Sequence, residues 1–168
     1  MNSKIKYIFL VLVLSVVVAS CGIYSFQQGS IPPEIHTISI ANLTNEAGGP
    51  ANLSQLFTEK LKSYFQQNSR LALVQSDGDW QIEGRIVSYT VEGIAPQPND
   101  QSELNRLNIR VSIKFVDTHD EKANYDQSFS FFSDYPKNAT LSSIERDLID
   151  KISDQIVFDI FTRTTSNW

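Results

Sequence analysis

Leu107-Asn108-Ile109-Arg110-Val111-Ser112-Ile113-Lys114-Phe115 alternates apolar and polar residues without a break. Successive side chains of a strand point to opposite faces, so this period of two describes a half-buried β-strand, and the β-branched Ile109, Val111 and Ile113 favour it further. Beyond the turn-rich stretch Asp117–Lys122, Tyr125, Gln127, Phe129 and Phe131 again occupy alternate positions. The two runs predict an antiparallel hairpin. Symmetry about residue 120 would set Lys114 opposite Asp126 and Arg110 opposite Ser130.

Toward the N-terminus, Trp80–Val91 reads as a second long strand. Its apolar parity changes from Trp80, Ile82 and Ile86 to Val87, Tyr89 and Val91, which predicts a bulge near residues 86–88. Ahead of it stand the turn signal Asp77-Gly78, a short strand at Leu71–Gln75 and a first strand at Ile35–Ala41, followed by an Asn/Gly/Pro-rich loop through Pro50. Ala95–Ser102, with Pro96 and Pro98, is a polar loop. Helical spacing marks two stretches: Leu53, Leu56, Phe57, Leu61, Tyr64 and Phe65, to about Gln67, and Ile144, Leu148, Ile152, Ile156 and Ile160, to about Phe161. Asn52 with Gln55, and Ser142 with Glu145, have the spacing of capping boxes. The order strand, helix, several strands, helix, without a repeat or second core, predicts one α+β domain. Two helices pack on one face of a mixed four- or five-stranded sheet, the first strand–helix–strand unit forms a crossover, and the other face is polar.

The chain has 168 residues, with 14 Lys+Arg against 19 Asp+Glu and a net charge of -5. That balance excludes nucleic acid as a partner, since phosphate neutralisation needs clustered cations. Apolar residues at 41% are enough for a packed core. A single cysteine rules out an internal disulfide or a cysteine-cluster metal site, and the two histidines, His36 and His119, leave little for acid–base chemistry. There is no nucleophile elbow, no phosphate-binding glycine loop and no His-Glu-x-x-His helix. Asp117, His119, Asp120 and Glu121 are the one compact acid/His group, and their place on a hairpin turn makes them solvated turn residues. His36 reads as a partly buried strand residue. No catalytic residue, metal site or cofactor is expected.

Residues 1–20 form an address. Lys4 and Lys6 precede the apolar run Tyr7–Val18, too short to span a bilayer, and small residues close it. Val18-Ala19-Ser20-Cys21-Gly22 resembles the bacterial lipobox, which implies cleavage before Cys21 and acylation of Cys21. Removal of residues 1–20 leaves 12 cations against 19 anions, or -7. Residues 21–33, with Gly22, Gly29 and Pro32-Pro33, form a lipidated tether, and residues 34–168 the folded domain. Gly22 in place of an acidic residue favours, by likeness to lipoprotein sorting rules, the outer membrane, facing the periplasm.

Cys21-Gly22-Ile23-Tyr24-Ser25-Phe26, Gly29-Ser30-Ile31-Pro32-Pro33, Leu53–Glu59, Glu83-Gly84-Arg85-Ile86 with Tyr89, Asn105-Arg106-Leu107, Asp159-Ile160-Phe161 and Ser166-Asn167-Trp168 together resemble the LptE-like family of outer-membrane lipopolysaccharide-assembly lipoproteins. The resemblance implies two helices on a mixed sheet. It further implies a non-enzymatic plug and chaperone of a lipopolysaccharide-translocating β-barrel of the LptD type. The alternative is a periplasmic ligand- or envelope-binding lipoprotein without a barrel partner.

Arg106, Arg110 and Lys114 share one parity of the central strand, opposite its apolar residues. Successive cations stand roughly 13 Å apart in a row. They are the candidate contacts for lipopolysaccharide phosphates or an acidic barrel wall, against the plainer reading of a solvated face with cross-strand ion pairs. In the symmetric hairpin, of Arg110 and Lys114 only Lys114 meets a carboxylate.

Overall fold

In the computed structural model, residues 31–95 and 103–166 are described. The signal segment, Cys21, most of the tether, most of the Ala95–Ser102 loop and the closing Asn167-Trp168 lie outside the described residues. The elements are β1 (Thr37–Ile40), β2 (Thr44–Asn45), α1 (Leu53–Asn68), β3 (Ala72–Val74), β4 (Trp80–Ile94), β5 (Leu104–Asp117), a single 3-10 turn at Glu121–Ala123, β6 (Tyr125–Pro136) and α2 (Leu141–Thr165). The fold is α+β, with two helices and a mixed, open sheet in the order β3-β1-β4-β5-β6.

The sheet has six strands, more than expected. The added one is β2, which pairs parallel with β4 through Thr44–Arg85 and Asn45–Ile86, inside the Asn/Gly/Pro-rich stretch whose composition predicts a loop. Leu43, just before it, is buried, and its N–H donates to Thr58 Oγ1 at 3.0 Å, so α1 holds this segment against the sheet. Two residues carry no readable period, which is why β2 escapes a periodicity argument.

β1 pairs parallel with both β3 and β4. The chain leaving β3 must therefore cross β1 to enter β4, and Gly78 makes the crossing. A Cβ there would sit 2.6 Å from the Ser39 nitrogen and 2.8 Å from the Ile38 carbonyl carbon. Asp79 follows and accepts the backbone N–H groups of His36 and Thr37, both at 2.9 Å, securing the start of β1. His36 itself is exposed, not partly buried, because it precedes the first paired residue of β1.

The hairpin has the expected register, with Lys114 opposite Asp126 and Arg110 opposite Ser130. β4 pairs antiparallel with β5 and slips by one residue between Ile86 and Ser88, where the parity change predicts a bulge. Leu107, Ile109, Val111 and Ile113 are fully buried with Ile82 and Ile86 of β4, and Phe129 of β6 is buried in the same core. Leu53, Phe57, Leu61 and Phe65 of α1, and Leu148, Ile152, Ile156 and Ile160 of α2, supply the other half of this core. Lys60 Nζ ties the helices together at 2.5 Å from Asp154 and 3.1 Å from Asp150.

Neither capping box forms. Asn52 stands at φ -92, ψ 7 and makes no side-chain cap bond; the Leu53 N–H donates to the Pro50 carbonyl, so the helix is entered through a turn that turns the side chain away. Gln55 bonds Glu59 instead. α2 begins earlier than expected, with Thr140 as its N-cap, and Glu145 accepts the Tyr89 hydroxyl at 2.5 Å.

Candidate functional site

The face of β4, β5 and β6 turned away from the helices is polar. Along β5 it presents Arg106, Asn108, Arg110, Ser112 and Lys114, as alternation about the buried odd-numbered residues requires. The register supplies neighbours on either side: Glu92 and Asp134 for Arg106, Ser88 and Ser130 for Arg110, Arg85 and Ser128 for Ser112, Glu83 and Asp126 for Lys114. Arg85 joins the three expected cations. It belongs to this face because β4 changes parity at the bulge, so its odd residues face out before Ile86 and its even ones after Ser88. The parity shift visible in the sequence contained this placement.

The three expected residues are not equivalent. Arg106 Nε and Nη2 donate to the two carboxylate oxygens of Asp134 at 2.7 and 2.8 Å, and its guanidinium lies 3.6 Å over the Phe132 ring. The bond from Arg106 draws the Asp134 carboxyl below its ordinary range, and Asp134 raises the guanidinium in return. Lys114 and Asp126 are directly opposite, yet they form no ion pair among the described residues. The neutralised cation is thus Arg106 and not Lys114. A planar guanidinium grips a carboxylate through two parallel bonds, whereas a flexible ammonium gains little at an exposed site.

Between these two ends, Arg85 and Arg110 are exposed among Ser88, Ser112, Ser128 and Ser130. A shallow recess of about 430 Å³, lined by Thr44, Glu83, Arg85, Ser112, Lys114 and Asp126, opens beside them. Cations with hydroxyl neighbours suit a phosphate or carboxylate that is already partly desolvated. Among the described residues the row is therefore a centre with two arginines that form no ion pair, flanked by mixed charge.

A larger recess, about 560 Å³, lies elsewhere, between the Asp117–Ala123 turn, Trp80, Phe115 and the end of α2 at Arg163–Ser166. Its floor is structural. The buried Asp117 carboxylate accepts Trp80 Nε1 at 2.8 Å and the His119 and Asp120 N–H groups at 2.8 and 3.1 Å. Asp120 Oδ1 accepts the Lys122 N–H at 3.0 Å. The acid/His group of the sequence therefore builds a turn. Among the described residues no set of His, Cys, Asp or Glu converges as a metal site.

Residues 35–164 match the family model described as LptE: Lipopolysaccharide-assembly. The chain belongs to the LptE family. LptE-family members are non-catalytic lipopolysaccharide-assembly lipoproteins associated with the outer membrane. Among the described residues no helix is long and apolar enough to cross a membrane. Solved structures share the fold at low identity. A minor lipoprotein from Acinetobacter baumannii is 20% identical with TM-score 0.50, over 77% of this chain and 91% of that one. An uncharacterized lipoprotein B from Nitrosomonas europaea is 14% identical with TM-score 0.51, over 81% and 89%. A protein from Xanthomonas campestris is 10% identical with TM-score 0.54, over 82% and 90%. A search of curated proteins finds no match.

Proposed function

We propose that this LptE-family chain is anchored in the outer membrane through acylated Cys21, faces the periplasm, and serves as plug and chaperone of a lipopolysaccharide-translocating β-barrel of the LptD type. The family match over residues 35–164 carries this reading. The lipobox-like Val18–Gly22 and the tether to Pro33 support the anchor. Several acyl chains on one residue hold firmly, since each buried methylene contributes about 0.8 kcal/mol and one chain alone is marginal. No bond is made or broken in this role. The sheet's polar face receives an anionic group, with Arg110 and Lys114 as contacts and Arg106 held in place by Asp134.

The test is gentle detergent extraction followed by co-purification. An LptD-type barrel should come away with the chain in stoichiometric amount. Recovery of the chain free of any barrel, while it remains in the outer-membrane fraction, would favour the ligand-binding alternative. Cys21→Ala should abolish acylation and cleavage. A variant still matured at residue 21 and still in the outer membrane overturns the anchor.

A further inference from the structure

Apart from the outer side of β4 beyond Ile86, which has no strand partner among the described residues but carries Glu92 and Gly93, the two outermost strands of the sheet are finished differently. β3, at one edge, has three residues, too few to offer an incoming chain much of a ladder. β6, at the other, runs for twelve residues in unbroken register with β5. The bond from the Lys137 N–H to the Glu103 carbonyl fixes the parity of that ladder. Residue 137 faces β5, and so do the odd-numbered residues of β6; the N–H and C=O groups of Asp126, Ser128 and Ser130 point to the open side. Bonds from Thr118 to Asp79 and from Ala41 to Ile82 continue the same alternation across the sheet. Among the described residues nothing pairs with the open side of β6.

The usual guards of a long edge are missing. Gln127–Ser133 contains no charge, no proline and no bulge. At its far end Phe131 and Phe132 leave opposite faces of the strand, yet their rings lie 5.9 Å apart at 20°. Both are exposed, and Arg106 backs the Phe132 ring, so an apolar post stands beside the free ladder. At the near end Asp126 is exposed and, among the described residues, forms no ion pair.

We infer that the open edge of β6 is a docking site for an extended segment of another polypeptide. The segment adds as a further strand, with a basic side chain beside Asp126 and an apolar one against Phe131 and Phe132. Backbone bonds supply the affinity in this mode, and the side chains at the two ends select the segment. A second copy of this chain fits poorly: two β6 strands paired about Ser130 set Asp126 against Asp134 at both ends, and the chain carries -5 overall. The inference goes beyond the proposed function and stands without it.

The probe is a capped peptide of alternating Thr and Val, carrying one Lys and one Phe at the spacing of Asp126 and Phe132. Hydrogen exchange is followed on the full chain in detergent. Saturating peptide should slow the Ser128 and Ser130 amides at least about tenfold, while their odd-numbered neighbours, already bonded to β5, change little. A copy of the peptide N-methylated along its pairing edge should slow neither. Ser130→Pro removes one outward N–H and leaves the β5 ladder intact, so it should weaken peptide binding about tenfold at an unchanged melting temperature. If that variant does not fold, the N-methylated peptide on the unaltered chain decides alone. Three results overturn the inference: no slowing at millimolar peptide, undiminished binding of the N-methylated copy, or slowing that follows protein concentration without peptide, which would assign the edge to a second copy.

Discussion

On one face of the sheet Leu107, Ile109, Val111 and Ile113 have no exposure at all, while on the other Arg110 and Lys114 of the same strand stand in solvent. The two sets alternate residue by residue, so one strand serves two chemistries. The buried set is held by both helices, and any loss of volume there is felt as a cavity. The polar set carries four cations (Arg85, Arg106, Arg110, Lys114) and four anions (Glu83, Glu92, Asp126, Asp134), a neutral surface on a chain of net charge -5. Stability resides in the first set, and the second is free to be selected for binding. The contrast can be broken from either side.

Ile152 is the hardest test of the buried face. Its side chain is completely buried in the stripe that α2 lays on the sheet. Ile152→Ala should cost about 2–5 kcal/mol, a large part of the stability of a domain this size. An unchanged denaturant midpoint would mean that this helix face is not packed. Gly78→Ala attacks the same architecture through the backbone. Its methyl group would meet β1 main-chain atoms at 2.6–2.8 Å, which no rotamer change relieves. A loss of about 1–3 kcal/mol is expected, as for other overpacked sites, read from the same midpoint.

How much of this was legible follows from where the information sits. The β5–β6 register needed only alternation and a turn of fixed length, both local, and the bulge showed itself as a parity change. β2 was hidden because Thr44-Asn45 has no period of its own and is a strand only by contact with β4. The capping boxes failed for a related reason: Asn52 and Glu145 have the right spacing, but the turn at Pro50 and the Tyr89 hydroxyl claim them. At the candidate site the alternation sets Arg106, Arg110 and Lys114 on one face of β5. The exchange of partners, with Arg106 taken by Asp134 and Lys114 left open, depends on guanidinium geometry and the Phe132 ring. Register alone sets Arg106 opposite Asp134 and Lys114 opposite Asp126 alike, and does not say which of the two pairs closes.

Asp79 gives the third prediction, a pH dependence. Two backbone N–H donors, from His36 and Thr37, hold its carboxyl far below the ordinary range. The folded-state value lies below the unfolded one of about 3.9, so the ionised group stabilises the fold above that pH and the contribution is lost as pH falls through the acid range. Asp134, drawn down by Arg106, adds in the same direction. Asp79→Asn should lower the melting temperature near neutrality, and the gap between variant and parent should close as the solution is acidified. Parallel melting curves at all pH values would remove Asp79 from this role.

The polar face yields the smallest effect on stability and the sharpest one on binding. Arg110 has serine on both sides, and Lys114 forms no ion pair among the described residues, so neither supports the fold. Surface changes of this kind stay within about 0.5 kcal/mol each. The double change Arg110→Gln with Lys114→Gln, which sets no new carboxylate beside Glu83 and Asp126, should therefore leave the melting temperature of the chain nearly unmoved. Lipopolysaccharide or barrel binding should weaken and lose much of its salt sensitivity, because exposed charges separated by more than a Debye length of about 8 Å are screened at physiological ionic strength. Arg106→Glu is the internal control. It sets a carboxylate against Asp134 and strips the Phe132 ring of its partner, so its melting temperature should fall where the double variant's does not. Unchanged binding in the double variant would return Arg110 and Lys114 to a solvated surface. A matching loss of stability in both variants would instead show that the polar face is coupled to the core, and that the division between the two faces is wrong.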